Sequence, residues 1–381
     1  MKIQHIIVGL NIGGAEMMLK RLIDSHRGNP TYQHTVISLT DVGKIGAQLQ
    51  AVGVEVRALA MRNVFDIPRV IWQLVRLIRA SSIDIVQTWM YHADLLGGVS
   101  ARLAGNRNVI WGIHSTYVQA GGSPTTTWVM HMCAWLSRWV PHTILCVAEM
   151  SRRVHVAAGY QAERILVLPN GIDLSRMVAT ADQCTALRSE CGFSENNIVI
   201  GTLGRFNPAK DYQNFVHAAG LLAERNPHVR FLMIGLELDG ANATLAGWIA
   251  KTGHADRFVL LGERADAAVC LAAMDVFCLS SRSEALPTVV AEAMAMSVPC
   301  VVTDVGDTAL LVAATGVVVR KEDSIALANG LEKMLAIPTS MRRQLGEKAK
   351  ERIQAEFTIE QARTRFETLY QQIISEKKGS R

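Results

Sequence analysis

The sequence predicts two doubly wound α/β domains followed by C-terminal helices. Three observations carry this. Short β-branched runs alternate with helical patterns along almost the whole chain. The rhythm breaks once, over 174–197, and then restarts. The length of 381 residues suits two domains of about 100–200 residues each.

In the first half, strands are expected at 3–8, 35–39, 54–59, 83–87, 108–112, 143–147 and 165–168. Helices are expected at 14–26, 44–52, 67–80, 92–104, 124–139 and 149–158. The alternation argues for a parallel sheet covered on both faces. The less apolar stretch 174–197 reads as a linker with a short helix. In the second half, strands are expected at 198–203, 230–234, 258–261, 276–280, 299–303 and 316–319. Helices follow near 211–225, 241–252, 265–273, 287–296 and 323–335, and the last 45 residues read as two terminal helices. The domains are therefore expected at 1–173 and 198–356, with a C-terminal helix over 357–381 that packs back on the first domain. Ligands of such sheets bind at the carboxyl ends of the strands, and the default site is the cleft between the domains.

Apolar residues make up 49% and charged residues 19%, which excludes a disordered chain. A chain of this size needs no metal or disulfide to fold. The seven Cys, at 133, 146, 184, 191, 270, 278 and 300, form no Cys-x-x-Cys pair and are odd in number. They read as reduced core thiols of a cytoplasmic protein. No apolar run of about 18 residues and no signal-peptide pattern is expected. The net charge of +5 suits phosphate ligands or an anionic membrane face. No nucleic-acid signature is present, so no nucleic-acid partner is expected.

Three strand-to-helix turns carry candidate chemistry. The first contains Gly13 and Gly14. Glycines there let backbone approach a ligand and offer free N–H groups to an anion, although taken alone a tight turn without ligand is the simpler reading. Its spacing from Gly9 is not that of the dinucleotide fingerprint. The second turn, 203–211, places Arg205 and Lys210 around Pro208. A planar fork and a point charge suit a diphosphate. The bland alternative is two solvated cations with Asp211 as a helix cap.

The third turn runs Ser280-Ser281-Arg282-Ser283-Glu284-Ala285-Leu286-Pro287-Thr288-Val289 into a helix carrying Glu292. Pro287 suits the first helical position. Thr288 and Val289 then present free N–H groups to a phosphate. Glu284 and Glu292 bracket that position, and carboxylates accept well from vicinal hydroxyls. A nucleotide sugar has that layout: hexose, diphosphate, ribose. The alternative for Glu292 is a helix-surface acid, which its apolar neighbours argue against.

Together with Leu168-Pro169-Asn170-Gly171-Ile172-Asp173, these motifs resemble the retaining glycosyltransferases of family 4. Local matches at 87–94, 261–264 and 303–307 resemble the branch that assembles O-antigen, capsule or exopolysaccharide. The resemblance covers nearly the whole chain, in order. It implies the GT-B fold, with two Rossmann-like domains facing a central cleft. It implies that Glu292 binds the ribose and that Arg205 and Lys210 hold the diphosphate. Gly14, with Gly13, would meet the phosphate from the N-terminal domain. Glu284 and the backbone of Ala285, Leu286 and Pro287 would hold the donor sugar, with Thr288 and Val289 at the phosphate. The 261–264 stretch, ending in Arg264, would flank the base mostly through its backbone. His114 matches the family's active-site histidine. The family usually has Gly where Ala285 stands, a difference that bears on the donor sugar.

No Asp-x-Asp motif occurs, so no metal and no cofactor are expected. Arg205, Lys210 and a helix N-terminus would stabilise the leaving nucleotide instead. The resemblance implies retention by same-face attack. It also implies a nucleotide-sugar donor and a saccharide acceptor on polyprenyl diphosphate. Six Trp lie in the first half, at 72, 89, 111, 128, 135 and 139. Trp72 shares a helix with Arg69, Arg76 and Arg79, and the 125–139 segment is apolar on more than one face. Such a surface fits weak peripheral contact with the inner face of the cytoplasmic membrane; ordinary core packing is the alternative. Other functions compatible with parts of the pattern are a nucleotide-sugar epimerase of the same architecture, a dehydrogenase, and a non-catalytic nucleotide-sugar sensor.

Overall fold

The computed structural model describes residues 1–116 and 124–379. The chain divides into two compact units, Met1–Gly171 with Ile359–Arg381, and Ile172–Thr358.

In the first unit the elements run β1 (Lys2–Ile7), α1 (Gly14–Ser25), β2 (Gln33–Ser38), α2 (Gly43–Ala51), β3 (Glu55–Ala58), α3 (Ile67–Ala80), β4 (Ile85–Trp89), α4 (Tyr91–Leu103), β5 (Val109–Ile113), α5 (Pro124–Leu136), β6 (Thr143–Cys146), α6 (Glu149–Ala157) and β7 (Ile165–Val167). The seven strands form one sheet in the order β3-β2-β1-β4-β5-β6-β7, with parallel pairing throughout. The carboxyl ends of β1, β4 and β5 therefore lie side by side on one edge. One face of the sheet is covered by α3, α4 and α5 through Val70, Leu74, Tyr91, Leu96, Val129 and Cys133.

The second unit runs α7 (Ala181–Glu190), β8 (Ile198–Leu203), α8 (Tyr212–Arg225), β9 (Val229–Ile234), α9 (Ala243–Ala250), β10 (Phe258–Gly262), α10 (Ala267–Ala272), β11 (Val276–Leu279), α11 (Thr288–Ala295), β12 (Cys300–Thr303), α12 (Thr308–Val312), β13 (Gly316–Val319), α13 (Ser324–Leu335) and α14 (Thr339–Glu356). Its six strands order β10-β9-β8-β11-β12-β13, again parallel. The ends of β8, β11 and β12 are neighbours. The last helix, α15 (Ile359–Gly379), belongs to the first unit. There Phe366, Leu369, Tyr370 and Ile373 join α1 and β1 on the other face of the sheet. The final two residues of the expected C-terminal helix lie outside the described residues.

The 174–197 stretch, read as a linker with a short helix, carries that helix as α7 and belongs to the second unit. A reciprocal cap between Thr180 and Gln183 starts α7. Arg188 then pairs with Asp275 at 3.1 Å and donates to Ala273 O and Asn197 O. The cysteines split. All seven are free thiols, but Cys184 and Cys191, at α7, are only half-buried, while the other five are buried.

Candidate active site

At the end of β8 the chain turns through 204–211. Asn207 accepts from Ala209 N at 2.9 Å, which rounds off a short turn at Pro208. Asp211 then starts α8 with a left-handed φ of 50°, its carboxylate accepting from Asn214 N. The Arg282 guanidinium grips the same carboxylate at 2.8 and 2.9 Å. Asp211 is thus the helix cap foreseen as the bland role for this turn, and it also ties β8 to β11.

More bonds stitch these strand ends together. Ser280 Oγ donates to Lys210 O at 2.9 Å, and Arg282 N to Ala209 O at 2.8 Å. From β12, Thr303 Oγ1 donates to Ser281 O at 2.7 Å, and Asp307 N to Ala285 O at 2.9 Å. Gly306 has a φ of 55°, and a Cβ there would lie 2.3 Å from Ala285 O and 2.4 Å from Glu284 O. Only glycine permits so close an approach.

Within this frame Lys210 Nζ donates to Glu284 Oε1 at 2.7 Å, and Ser281 Oγ donates to the same oxygen at 2.7 Å. Arg205 is exposed and makes no hydrogen bond or ion pair among the described residues. Pro287 sits one position before α11, at its cap, so Thr288 is the first helical residue. The N–H groups of Thr288 and Val289 have no acceptor within the helix. Glu292 lies half-buried one turn further along α11. Leu286 and Pro287, just before α11, are buried, and Ala285 is not among the residues with positive φ. Ala285 thus stands in backbone that does not call for glycine. Arg264 stands at the end of β10 with its guanidinium bidentate on Asp266, at 2.7 and 2.8 Å, and 3.2 Å from Glu190. Its side chain is already committed.

The remaining candidates are in the first unit. Gly13 caps α1 in extended backbone, and a Cβ on it would lie 2.3 Å from Glu16 Oε2. The glycine makes room for that carboxylate at the helix start. Gly14 is exposed and nothing would meet a Cβ there within 4 Å. His114 follows β5. Its ring stacks on Trp89 at 4.9 Å and 23°, and its Nδ1 is buried with no partner among the described residues. Burial pushes the imidazole down to about 4. At neutral pH it can exchange one hydrogen bond in each direction but supplies no charge.

Of the six Trp in this half, Trp89 and Trp111 are wholly buried. Trp72, Trp128, Trp135 and Trp139 are each more than half exposed. Arg76 lies over Trp72 at 5.5 Å, and Trp135 meets Trp139 edge-on at 5.2 Å. Sequence reasoning missed Ser281, Gly306 and Trp89. The glycine inside Thr303-Asp304-Val305-Gly306-Asp307 was the available signal for one of them.

Comparison with known proteins bears on this arrangement. The family described as "Glycosyl transferases group 1" matches residues 185–352, which include every candidate of the second unit. "Glycosyltransferase Family 4" matches residues 12–176. The chain belongs to glycosyltransferase family 4. This family 4 chain is 27% identical over 244 residues to the UDP-Gal:α-D-GlcNAc-diphosphoundecaprenol α-1,3-galactosyltransferase of Escherichia coli, covering 63% of the chain and 62% of that protein. It is 28% identical to the N-acetyl-α-D-glucosaminyl L-malate synthase of Bacillus anthracis over 52% of the chain and 51% of that protein. The chain thus spans less than two thirds of the length of either relative. The crystal structure of HepE from Anabaena in complex with UDP matches with a TM-score of 0.85, over 97% of this chain and 99% of that one, at 22% identity. The family 4 chain has the GT-B fold.

Proposed function

We propose that this chain transfers a hexose, with retention, from a nucleoside-diphosphate sugar to a saccharide on a polyprenyl-diphosphate carrier, in the assembly of a cell-surface polysaccharide. The carrying observation is the Lys210–Glu284 pair, 2.7 Å apart, with Arg205 on the same β8–α8 turn as Lys210 and the start of α11 four residues after Glu284. The neighbouring ends of β8 and β11 thus carry two cations and a helix start with unsatisfied N–H groups. That is the requirement for holding a diphosphate and stabilising it as it leaves. Glu284 is poised to accept from sugar hydroxyls once Lys210 turns to phosphate. Glu292 takes the ribose diol. Gly13 and Gly14 offer backbone to the phosphate, and neutral His114 takes a sugar hydroxyl. The leaving phosphate accepts the acceptor's proton. The 261–264 backbone flanks the base.

No metal is assigned to the reaction, because Arg205, Lys210 and the α11 start supply the charge and no Asp-x-Asp motif occurs. The galactosyltransferase relative acts on a diphosphoundecaprenol-linked sugar by its name, which supports the lipid-linked acceptor. The layer of α3, α4 and α5 carries Trp72, Trp128 and Trp135 with Arg69, Arg76 and Arg79, which supports weak contact with an anionic cytoplasmic membrane face. Among the described residues no helix is long and apolar enough to cross a membrane.

The test starts with thermal shift against UDP, GDP, ADP and their sugars. The donor raises the melting temperature by mass action. That donor is then incubated in EDTA with polyprenyl-diphosphate-linked saccharides, and the anomer of the product is read by NMR. An inverted product, or activity that requires added Mn²⁺ or Mg²⁺, overturns the corresponding part of the proposal. Sedimentation with anionic vesicles, lost on Trp128→Ser with Trp135→Ser, tests the membrane contact.

A further inference from the structure

Behind Trp89 runs a line of hydrogen-bonded rings that ends on the last helix. Trp89 Nε1 donates to His5 Nδ1 at 3.2 Å. His5 Nε2 and His34 Nδ1 are 2.9 Å apart, His34 Nε2 and His26 Nδ1 3.0 Å, and His26 Nε2 and Glu367 Oε1 3.1 Å. The line crosses β4, β1, β2, the end of α1, and α15.

Its protons are set from one end. The indole nitrogen is a donor only, so His5 Nδ1 must accept and His5 Nε2 carries the hydrogen. The same logic passes to His34, to His26, and finally to the Glu367 carboxylate. Each gap then holds one hydrogen. Protonating any ring would set two N–H groups against each other within the line. Burial acts in the same direction, and all three imidazoles are held below their ordinary range. The line is therefore a neutral, directional strut.

Its inner end fixes a ring that matters. Trp89 is fully buried, and the next residue, Met90, has a φ of 73° with its N–H bound to Gly112 O at 2.8 Å. Such a backbone persists only where its surroundings dictate it. The indole edge is pinned by His5, and its face carries His114 at 4.9 Å. We propose that His5, His34, His26 and Glu367 are positioning residues that hold Trp89, and through it the His114 ring. The consequence for transfer rests on the reading of His114 as an active-site group.

The test uses the full chain with labelled histidine and tryptophan. NMR signals of the His114 ring and the Trp89 indole are assigned with His114→Gln and Trp89→Phe. His34→Phe interrupts the middle of the line. Glu367→Leu removes its partly exposed end and serves where His34→Phe does not fold. Glu367→Gln keeps an acceptor for His26. The expected result is that both interrupting variants speed exchange of the Trp89 indole proton and move the His114 titration upward. The same variants lower kcat roughly ten- to a hundredfold, as misplacement by about an ångström does, with the donor KM within about twofold. Glu367→Gln restores both readouts. Unchanged Trp89 and His114 signals in the interrupting variants would overturn the proposal. So would a Glu367→Gln protein as impaired as Glu367→Leu. If wild-type protein transfers no sugar, the transferase reading fails, and the NMR arm alone decides whether the line holds the two rings.

Discussion

Lys210 and Glu284 form an ion pair 2.7 Å long between the ends of β8 and β11, with Ser281 donating to the same carboxylate oxygen. Both side chains are largely screened from solvent, at 24% and 15% exposure. In the proposed complex each would exchange this partner for a piece of the donor. The two residues are therefore coupled, and neither can be changed without freeing the other.

Lys210→Ala should lower the transfer rate on the order of 10²–10³, the loss of about 2.7–4 kcal/mol that follows removal of one oxyanion donor. The double variant with Glu284→Gln should cost less than the sum of the single changes, by about 0.5–3 kcal/mol. Steady-state kinetics of the four proteins measure this. Strict additivity would mean the pair is incidental, and a Lys210→Ala rate within threefold of wild type would remove the lysine from the site.

Glu292→Ala should weaken nucleoside diphosphate and nucleotide sugar alike, because both contain ribose. Glu284→Ala should weaken only the nucleotide sugar or slow transfer. It leaves Lys210 free for phosphate, so nucleoside diphosphate affinity should hold or rise. Calorimetric titration of both variants with both ligands separates the roles. Equal losses of nucleoside diphosphate affinity would show that the carboxylates do not divide the ligand.

Gly306→Ala should disturb the site without touching any ligand. The added Cβ meets the carbonyls of Glu284 and Ala285 at 2.4 and 2.3 Å, and both belong to backbone. Overpacking of this kind costs about 1–3 kcal/mol. The urea midpoint should fall, and donor affinity should fall with it as the Glu284 turn shifts. A destabilised protein with wild-type donor affinity would separate Gly306 from the site.

Acid should destabilise the first unit through its histidines. His34 is held at about 3 by burial, then by His26 and the amino terminus, and His5 lies well below 6.5 by burial and its neighbouring rings. His26 is lowered by burial against the opposing pull of Glu367, with Arg363 adding to the lowering. Unfolded histidines take up protons below about 6.5, whereas these do not. Their stabilisation is thus complete above about pH 6.5 and is lost as pH falls below it, for His34 down to about 3, at up to about 1.4 kcal/mol per pH unit for each ring. Urea midpoints at pH 7 and 5 check the sign, and His34→Phe should flatten the slope. A midpoint that holds steady or rises on acidification would mean the rings are not buried neutral.

The strand-and-helix alternation, the second start of the rhythm near 198, and the turns at Gly13, Arg205 and Glu284 were all legible in the chain. Each depends on forces that act over a few residues: apolar period, cap chemistry, and glycine or proline at a turn. What those turns face depends on strand order, and periodicity carries no information about it. The order β8-β11-β12 brings Lys210, Glu284 and Gly306 together across about a hundred residues of chain, a separation no local pattern can encode. The same limit applies to the tryptophans. On α5 apolar residues surround the helix, so its period could not say that Val129 and Cys133 turn inward while Trp128 and Trp135 remain exposed. The histidine line is the extreme case. Residues 5, 26, 34, 89 and 367 read as unrelated positions in sequence. They meet because β1 lies between β2 and β4, and because α15 returns from the far end of the chain to cover them.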